Sequence, residues 1–152
     1  MKKTNFSHNV INKMQLKLPA LSANEGMARA AVAAFCAQLD PSGIELADIK
    51  CAVSEAVTNC IVHAYRHSEG LIYITVSLLE GRVAKIEIRD RGCGIPDVKE
   101  ARQPLFTSDA QSERSGMGFT VMESFTDKIN VSSRVGSGTK ITMYKVFRER
   151  ST

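Results

Sequence analysis

Apolar and polar residues change period several times along this chain, and each change predicts an element. Met14, Leu16 and Leu18 alternate with Gln15 and Lys17, the pattern of a half-buried strand ending at Pro19. Ser22 and Asn24 then offer N-cap oxygens, with Glu25 in the first turn. The alanine-rich run to Leu39 reads as a helix stopped by Asp40-Pro41. A second helix is predicted from about Glu45 to His63 or Tyr65. There Ile49, Ala52, Val53, Ala56, Val57, Cys60, Ile61 and Ala64 recur at three and four, laying one stripe on the core. Leu71–Leu79 and Val83–Asp90 read as strands joined at Glu80-Gly81. From Arg91 to about Gly116 there is little periodicity. A stretch of about 25 residues is long enough to suggest a functional loop or lid. A short helix over Gly118–Phe125 follows. The last predicted elements are a hairpin of Ile129–Arg134 and Thr139–Phe147, turning through Gly136-Ser137-Gly138.

This order predicts an α/β two-layer sandwich, with a mixed, mainly antiparallel sheet and helices on one face. The strict alternation of a doubly wound parallel sheet is absent. One domain is expected over 13–147, between polar tails at 1–12 and 148–152. The length of 152 residues and the apolar share of 43% suffice for one core and exclude wholesale disorder. Lys and Arg exceed Asp and Glu by 20 to 16, a net charge of +4. That excess hints at an anionic partner. The basic residues are scattered without an aromatic cluster, so direct nucleic-acid binding is not expected. None of the cysteines Cys36, Cys51, Cys60 and Cys93 forms a CxxC pair, so neither a redox motif nor a zinc knuckle is suggested. The first three fall in helix-like apolar segments, where a free thiol behaves as a small hydrophobe. A reduced, cytoplasmic setting is expected. Met1–Asn12 lacks an apolar signal core, and Ala28–Leu39 is too short and interrupted to span a membrane.

Four short words carry chemistry. On the second helix, Glu55, Asn59 and His63 stand four apart on one face, where a carboxylate and a carboxamide could act as base and metal ligand. In Asp90-Arg91-Gly92-Cys93-Gly94, the alternation of Ala84, Ile86 and Ile88 puts Asp90 on the buried side of its strand. There it needs donors, and a nucleobase amino group is one. Ser115-Gly116-Met117-Gly118-Phe119 opens the short helix, where glycines and free N–H groups suit a phosphate. Gly136-Ser137-Gly138-Thr139 turns Thr139 inward toward Asp90. Read singly, each has an ordinary structural explanation: a polar helix face, an Asp-Gly turn, a helix entry, a hairpin.

Their order is more telling. ExxxN on a helix, DxGxG after a strand, GxG before a helix and GxGT before a strand resemble the GHKL nucleotide-binding superfamily. That superfamily holds gyrase-like, heat-shock-90-like, mismatch-repair and histidine-kinase ATPase domains. Three longer words look like one branch of it, the anti-sigma-F factors, serine kinases of spore-forming bacteria. They are Ser54-Glu55-Ala56-Val57-Thr58-Asn59, Ala101-Arg102-Gln103-Pro104-Leu105-Phe106-Thr107 and Glu113-Arg114-Ser115-Gly116-Met117-Gly118-Phe119. This closer resemblance covers about Met14 to Met143.

The resemblance implies a Bergerat-type ATP-binding fold with a mobile ATP lid, handling ATP, ADP and Mg²⁺. It implies that Asn59 ligates Mg²⁺ and that Asp90 accepts from the adenine amino group. Gly92, Gly94 and Thr139 would line the base site. Thr107, Arg114, Ser115, Gly116, Met117, Gly118 and Phe119 would surround the nucleotide through the lid and the helix start. Glu55 would be the general base toward an attacking serine hydroxyl, and Arg114 would stabilise charge on the γ-phosphoryl. Arg29 falls where the family contacts partners. Those partners would be a sigma-F-type sigma factor, an anti-anti-sigma factor bearing the target serine, and a second copy of the chain in a homodimer. Neither nucleic acid nor a membrane is implied, and the family places such a protein in the forespore cytoplasm. Two rival readings share these motifs: a histidine-kinase catalytic domain, and a switch that uses ATP only to shape a protein-binding surface.

Overall fold

The computed structural model describes residues 5–104 and 118–148. Among these residues five strands form one sheet in the order β1-β2-β3-β5-β4. They are β1 Val10–Pro19, β2 Leu71–Leu79, β3 Val83–Arg89, β4 Lys128–Arg134 and β5 Gly138–Val146. Every neighbouring pair is antiparallel, so the described residues hold none of the parallel pairing expected in a mixed, mainly antiparallel sheet. The helices are α1 Ala23–Cys36, α2 Gly43–Asn59, α3 Val98–Ala101 and α4 Gly118–Ser124.

Strand alternation builds the sheet's two faces. Ile72, Ile74, Val76 and Leu78 of β2, Ala84, Ile86 and Ile88 of β3, and Ile141 and Met143 of β5 are all buried. They meet Val32 and Cys36 of α1, Ile49, Val53, Ala56 and Val57 of α2, and Met122 of α4 in one apolar cluster. Fully burying such a side chain contributes roughly 1.5–3 kcal/mol, so the helical layer is held by this one face. The strand β1 begins at Val10, four residues before the alternation is visible, because pairing Val10 with Leu79 and Asn12 with Leu78 extends it.

Local chemistry fixes the helix ends. Ser42 and Glu45 form a capping box that starts α2: the Glu45 N–H donates to Ser42 Oγ at 3.2 Å, and the Ser42 N–H to Glu45 Oε1 at 3.1 Å. Ser22 precedes α1 without capping it, and the Asn24 amide donates instead to the Pro19 carbonyl at 3.0 Å. After α1 the chain tightens into a 3-10 turn, Ala37–Leu39, and leaves it through Asp40. The Arg82 guanidinium donates to the Leu39 and Asp40 carbonyls at 3.1 and 2.7 Å. The helix predicted through Tyr65 does not stay α: from Cys60 to Ala64 it widens into a π-turn. Cys51 also departs from the apolar role expected of it. It lies on the exposed face of α2, whereas Cys36 and Cys60 are buried.

Candidate nucleotide site

The strands β3 and β5 run side by side, with Arg89 opposite Lys140, so Asp90 and Thr139 are the next neighbours along the pair. The Asp90 N–H donates to the Thr139 carbonyl at 2.9 Å. Asp90 lies on the helix side, as alternation predicts, and only 5% of it is exposed. Its Oδ1 accepts from the Gly92 N–H at 2.9 Å and from the Thr139 N–H at 3.2 Å. The Cys60 thiol is a third partner of this carboxyl. Burial raises the Asp90 pKa above the ordinary 3.8, and those three donors hold the rise in check. Burial, and the carboxylate beside it, raise Cys60 well above its usual value, so the thiol stays protonated and can donate.

The glycines around Asp90 answer to backbone crowding. Gly138 has φ +108° and Gly94 φ +76°, left-handed values that disfavour a side chain. A Cβ on Gly138 would overlap the backbone of Asp90 and Arg91, and one on Gly94 the backbone of Arg134 and Val135. Gly92 lies as tightly against Ala64. The Thr139 hydroxyl pairs with Ser133 Oγ at 2.8 Å, and the Ile95 N–H donates to the same Ser133 oxygen at 2.7 Å. Ser133 thus ties β4 to the loop after Asp90. Its place on the inward face, two residues beyond Val131, is a signal that the sequence does carry.

Asn59 is the last residue of α2 and Cys60 the first of the π-turn. While Cys60 meets Asp90, Asn59 faces α4. A Cβ built on Gly118 would lie 3.3 Å from Asn59 Oδ1 and 3.3 Å from Glu55 Oε2. Glu55 and Asn59 therefore converge on the start of α4, as their spacing predicts. His63 is separated from that line by the wider π-turn, and its carbonyl accepts from the Cys93 thiol at 3.4 Å. The same turn frees the Ala64 carbonyl to accept from the Cys93 N–H at 3.1 Å. Phe119 turns its side chain to the core. Thr107, Arg114, Ser115, Gly116 and Met117 lie outside the described residues. Arg29 is half-exposed on α1, paired with Glu25 at 3.2 Å and donating to Ser54 Oγ at 3.3 Å, one residue before Glu55.

Tyr65 is a residue that sequence reasoning missed. Its hydroxyl accepts from the Arg91 N–H at 2.7 Å and donates to the Leu71 carbonyl at 2.6 Å, clamping the loop after Asp90 to the end of the π-turn. Tyr65→Phe should leave both backbone groups without this partner. The expected cost is about 1 kcal/mol or more, about fivefold in nucleotide affinity. A rise in KM for ATP at constant kcat is expected in steady-state assays. A fall in kcat at constant KM would show that the clamp does not act through the loop.

The donor set fits Mg²⁺. The Asn59 carboxamide would supply one hard oxygen ligand, and Mg²⁺ takes its remaining ligands from water and phosphate rather than from an all-protein cage. Among the described residues there is no group of three or more His, Cys, Asp or Glu suited to a metal.

Residues 18–145 match the family model of the histidine kinase-like ATPase domain. The anti-sigma F factor of Anoxybacillus flavithermus is 53% identical over 135 residues, which span 88% of this chain and 92% of that protein. The Geobacillus stearothermophilus anti-sigma F factor is 51% identical over 142 residues, 93% and 97% of the two chains. The chain belongs to the anti-sigma F factor family. As a member it is an anti-sigma factor built on an ATP-binding kinase fold. Among solved structures, the RsbU and RsbW domains of Rv1364c from Mycobacterium tuberculosis match 92% of this chain and 34% of that one, with a TM-score of 0.66 at 20% identity. The catalytic domain of histidine kinase ThkA matches 93% and 100%, with a TM-score of 0.56 at 14% identity. At those identities the likeness is one of fold. No helix among the described residues is long and apolar enough to cross a membrane.

Proposed function

We propose that the chain binds Mg-ATP between Asp90 and the start of α4. It transfers the γ-phosphoryl to a serine of an anti-anti-sigma factor, and it holds a sigma-F-type sigma factor inactive, as a homodimer. The observation that supports this most is the convergence of Glu55 and Asn59 on Gly118, with Cys60 reaching Asp90 from the adjacent position. One helix end thus serves both ends of a nucleotide.

Within this reading each residue has a distinct task. Asp90 orients the adenine by accepting from its amino group. Gly92, Gly94 and Thr139 shape the wall beside it, and Gly118 leaves room for the phosphates near Asn59. Asn59 holds the Mg²⁺, which when bound offsets phosphate charge. Glu55 orients the serine hydroxyl and accepts its proton, the positioning role that phosphoryl transfer asks of a base. The lid residues Thr107, Arg114, Ser115, Gly116 and Met117 would enclose the phosphates, with Arg114 on the γ-phosphoryl. Phe119 anchors α4 to the core and contributes to the site through its backbone. A switch that binds ATP without chemistry needs Asn59 and Asp90 but gives Glu55 no task.

Incubation with γ-labelled ATP and an anti-anti-sigma protein should place label on a serine; label on histidine, or none, overturns the kinase reading. Arg29 is proposed as a partner contact. Arg29→Gln should weaken sigma-factor and anti-anti-sigma binding by about tenfold while ATP affinity holds. Calorimetric titration of each partner checks this, and unchanged partner affinity removes Arg29 from the interface. The loss of the Glu25 pair should alter stability by less than about 0.5 kcal/mol, because a helix-surface pair of this spacing is worth little.

A further inference from the structure

Two thiols are buried in this molecule, and they stand in different company. Cys36 of α1 and Cys60 at the end of α2 are 0% and 1% exposed, and both belong to the apolar cluster. For Cys36, burial is the one influence on the thiol, which is pushed up to about 12. Cys60 adds a hydrogen bond to the Asp90 carboxyl. As packing, alanine would continue the stripe of α2, as it does at Ala52 and Ala56. What the sulfur adds at this position is a donor aimed at a carboxylate.

The backbone accounts for its reach. The π-turn opens at Cys60, whose carbonyl accepts from the Tyr65 N–H at 3.0 Å. That turn lies against the loop after Asp90: the Cys93 N–H donates to the Ala64 carbonyl at 3.1 Å, and a Cβ on Gly92 would lie 2.5 Å from the same oxygen. Cys60 thus meets the carboxyl from the helical layer, while the Gly92 and Thr139 N–H groups approach from the loop and from β5. Both backbone bonds fall on Oδ1. The terminal torsion of an aspartate is broad, and a donor from a third element narrows it. A carboxylate has about four acceptor sites, so three donors leave room for one more. An S–H is a weak donor, so it orients the carboxyl and leaves most of its charge for a fourth N–H.

Building on Asp90 as the proposed adenine acceptor, we infer that Cys60 is a positioning residue for nucleobase selection: its thiol holds the remaining acceptor site of Asp90 toward a purine 6-amino group. A 6-oxo purine would set an acceptor against that site and be rejected, and a purine bare at position 6 would leave it unfilled. Cys60 does not touch the base in this scheme. It acts through Asp90, so its loss should change which base is preferred rather than whether the triphosphate is held.

The test compares ATP with purine riboside triphosphate, which lacks only the 6-amino group, by displacement of a fluorescent nucleotide from the full chain. The parent should favour ATP by about tenfold or more, and Cys60→Ala and Cys60→Val should each lower that ratio by about fivefold, while Cys60→Ser stays within about twofold of the parent. Packing alone would order the variants by volume, with valine nearest the parent; a donor orders them by chemistry, with serine nearest. The ratio cancels any general weakening of the site. Cys36→Ala, an equal loss of a buried sulfur elsewhere in the core, should keep the parent's ratio. A nucleotide-free readout stands beside these. The infrared S–H stretch lost in Cys60→Ala should lie at lower frequency than the one lost in Cys36→Ala, because its acceptor is charged. Equal frequencies overturn the proposal, as does a parent-like ratio in Cys60→Val, a ratio in Cys60→Ser as low as in Cys60→Ala, or an equal loss in Cys36→Ala. A parent that binds both nucleotides equally would remove Asp90 from the base site, and Cys60 with it; a parent that prefers ATP, with that preference intact in Cys60→Ala, overturns the role of Cys60 alone.

Discussion

Glu55→Gln should bind ATP with nearly the parent's affinity and transfer its γ-phosphoryl roughly 10²–10⁴-fold more slowly, the range that a positioned general base contributes. Glutamine keeps the shape of the side chain and its hydrogen-bonding reach, but it cannot take the serine proton. The geometry makes this separation of binding from transfer sharp. Asp90 sits at the end of β3, held by Gly92, Thr139 and Cys60, with Glu55 absent from that set. Glu55 faces the start of α4 beside Asn59. Loss of its charge should therefore spare the adenine end. Single-turnover transfer from γ-labelled ATP to the anti-anti-sigma protein, with nucleotide affinity measured in parallel, reads both quantities. An equal fall in affinity and rate would make Glu55 a binding residue; an unchanged rate would assign the base elsewhere.

What the sequence made legible follows from where each signal is encoded. The stripe on α2 and the alternation of β3 are periodic over many residues, so they place Glu55, Asn59 and Asp90 on the right faces without any tertiary information. The β2–β3 and β4–β5 pairs are equally plain, since short turns join them. The π-turn at Cys60 was not legible. It widens because Ala64 and Tyr65 must reach the loop after Asp90, and those contacts span nearly thirty residues of chain. For the same reason Cys60 reads as a core residue in the helical stripe, while its thiol reaches a carboxyl on another element.

Asp90→Asn should lower ATP affinity by about 10–100-fold. A carboxylate accepts at both oxygens, whereas a carboxamide accepts at one end and donates at the other. At Asp90 all the protein partners are donors: the Gly92 and Thr139 N–H groups on Oδ1, and the Cys60 thiol. The adenine amino group would be a fourth. Whichever way the asparagine amide turns, its NH₂ faces a donor. One buried donor left unpaired costs about 1–3 kcal/mol, and each 1.4 kcal/mol is a tenfold change. The acid side of the pH profile tests the same carboxyl independently. Burial raises its pKa above 3.8, so in the window just above that value the folded chain holds a proton that the unfolded chain has lost. Ionising Asp90 therefore costs stability as pH rises through the window. The ionised form is the one that accepts from adenine, so ATP affinity should fall as pH drops through it. Titrating a fluorescent ATP analogue from neutral pH downward should show this acid limb above the range of an ordinary aspartate, with no such limb in Asp90→Asn. An identical limb in the variant would trace the titration to another group and remove Asp90 from the base site.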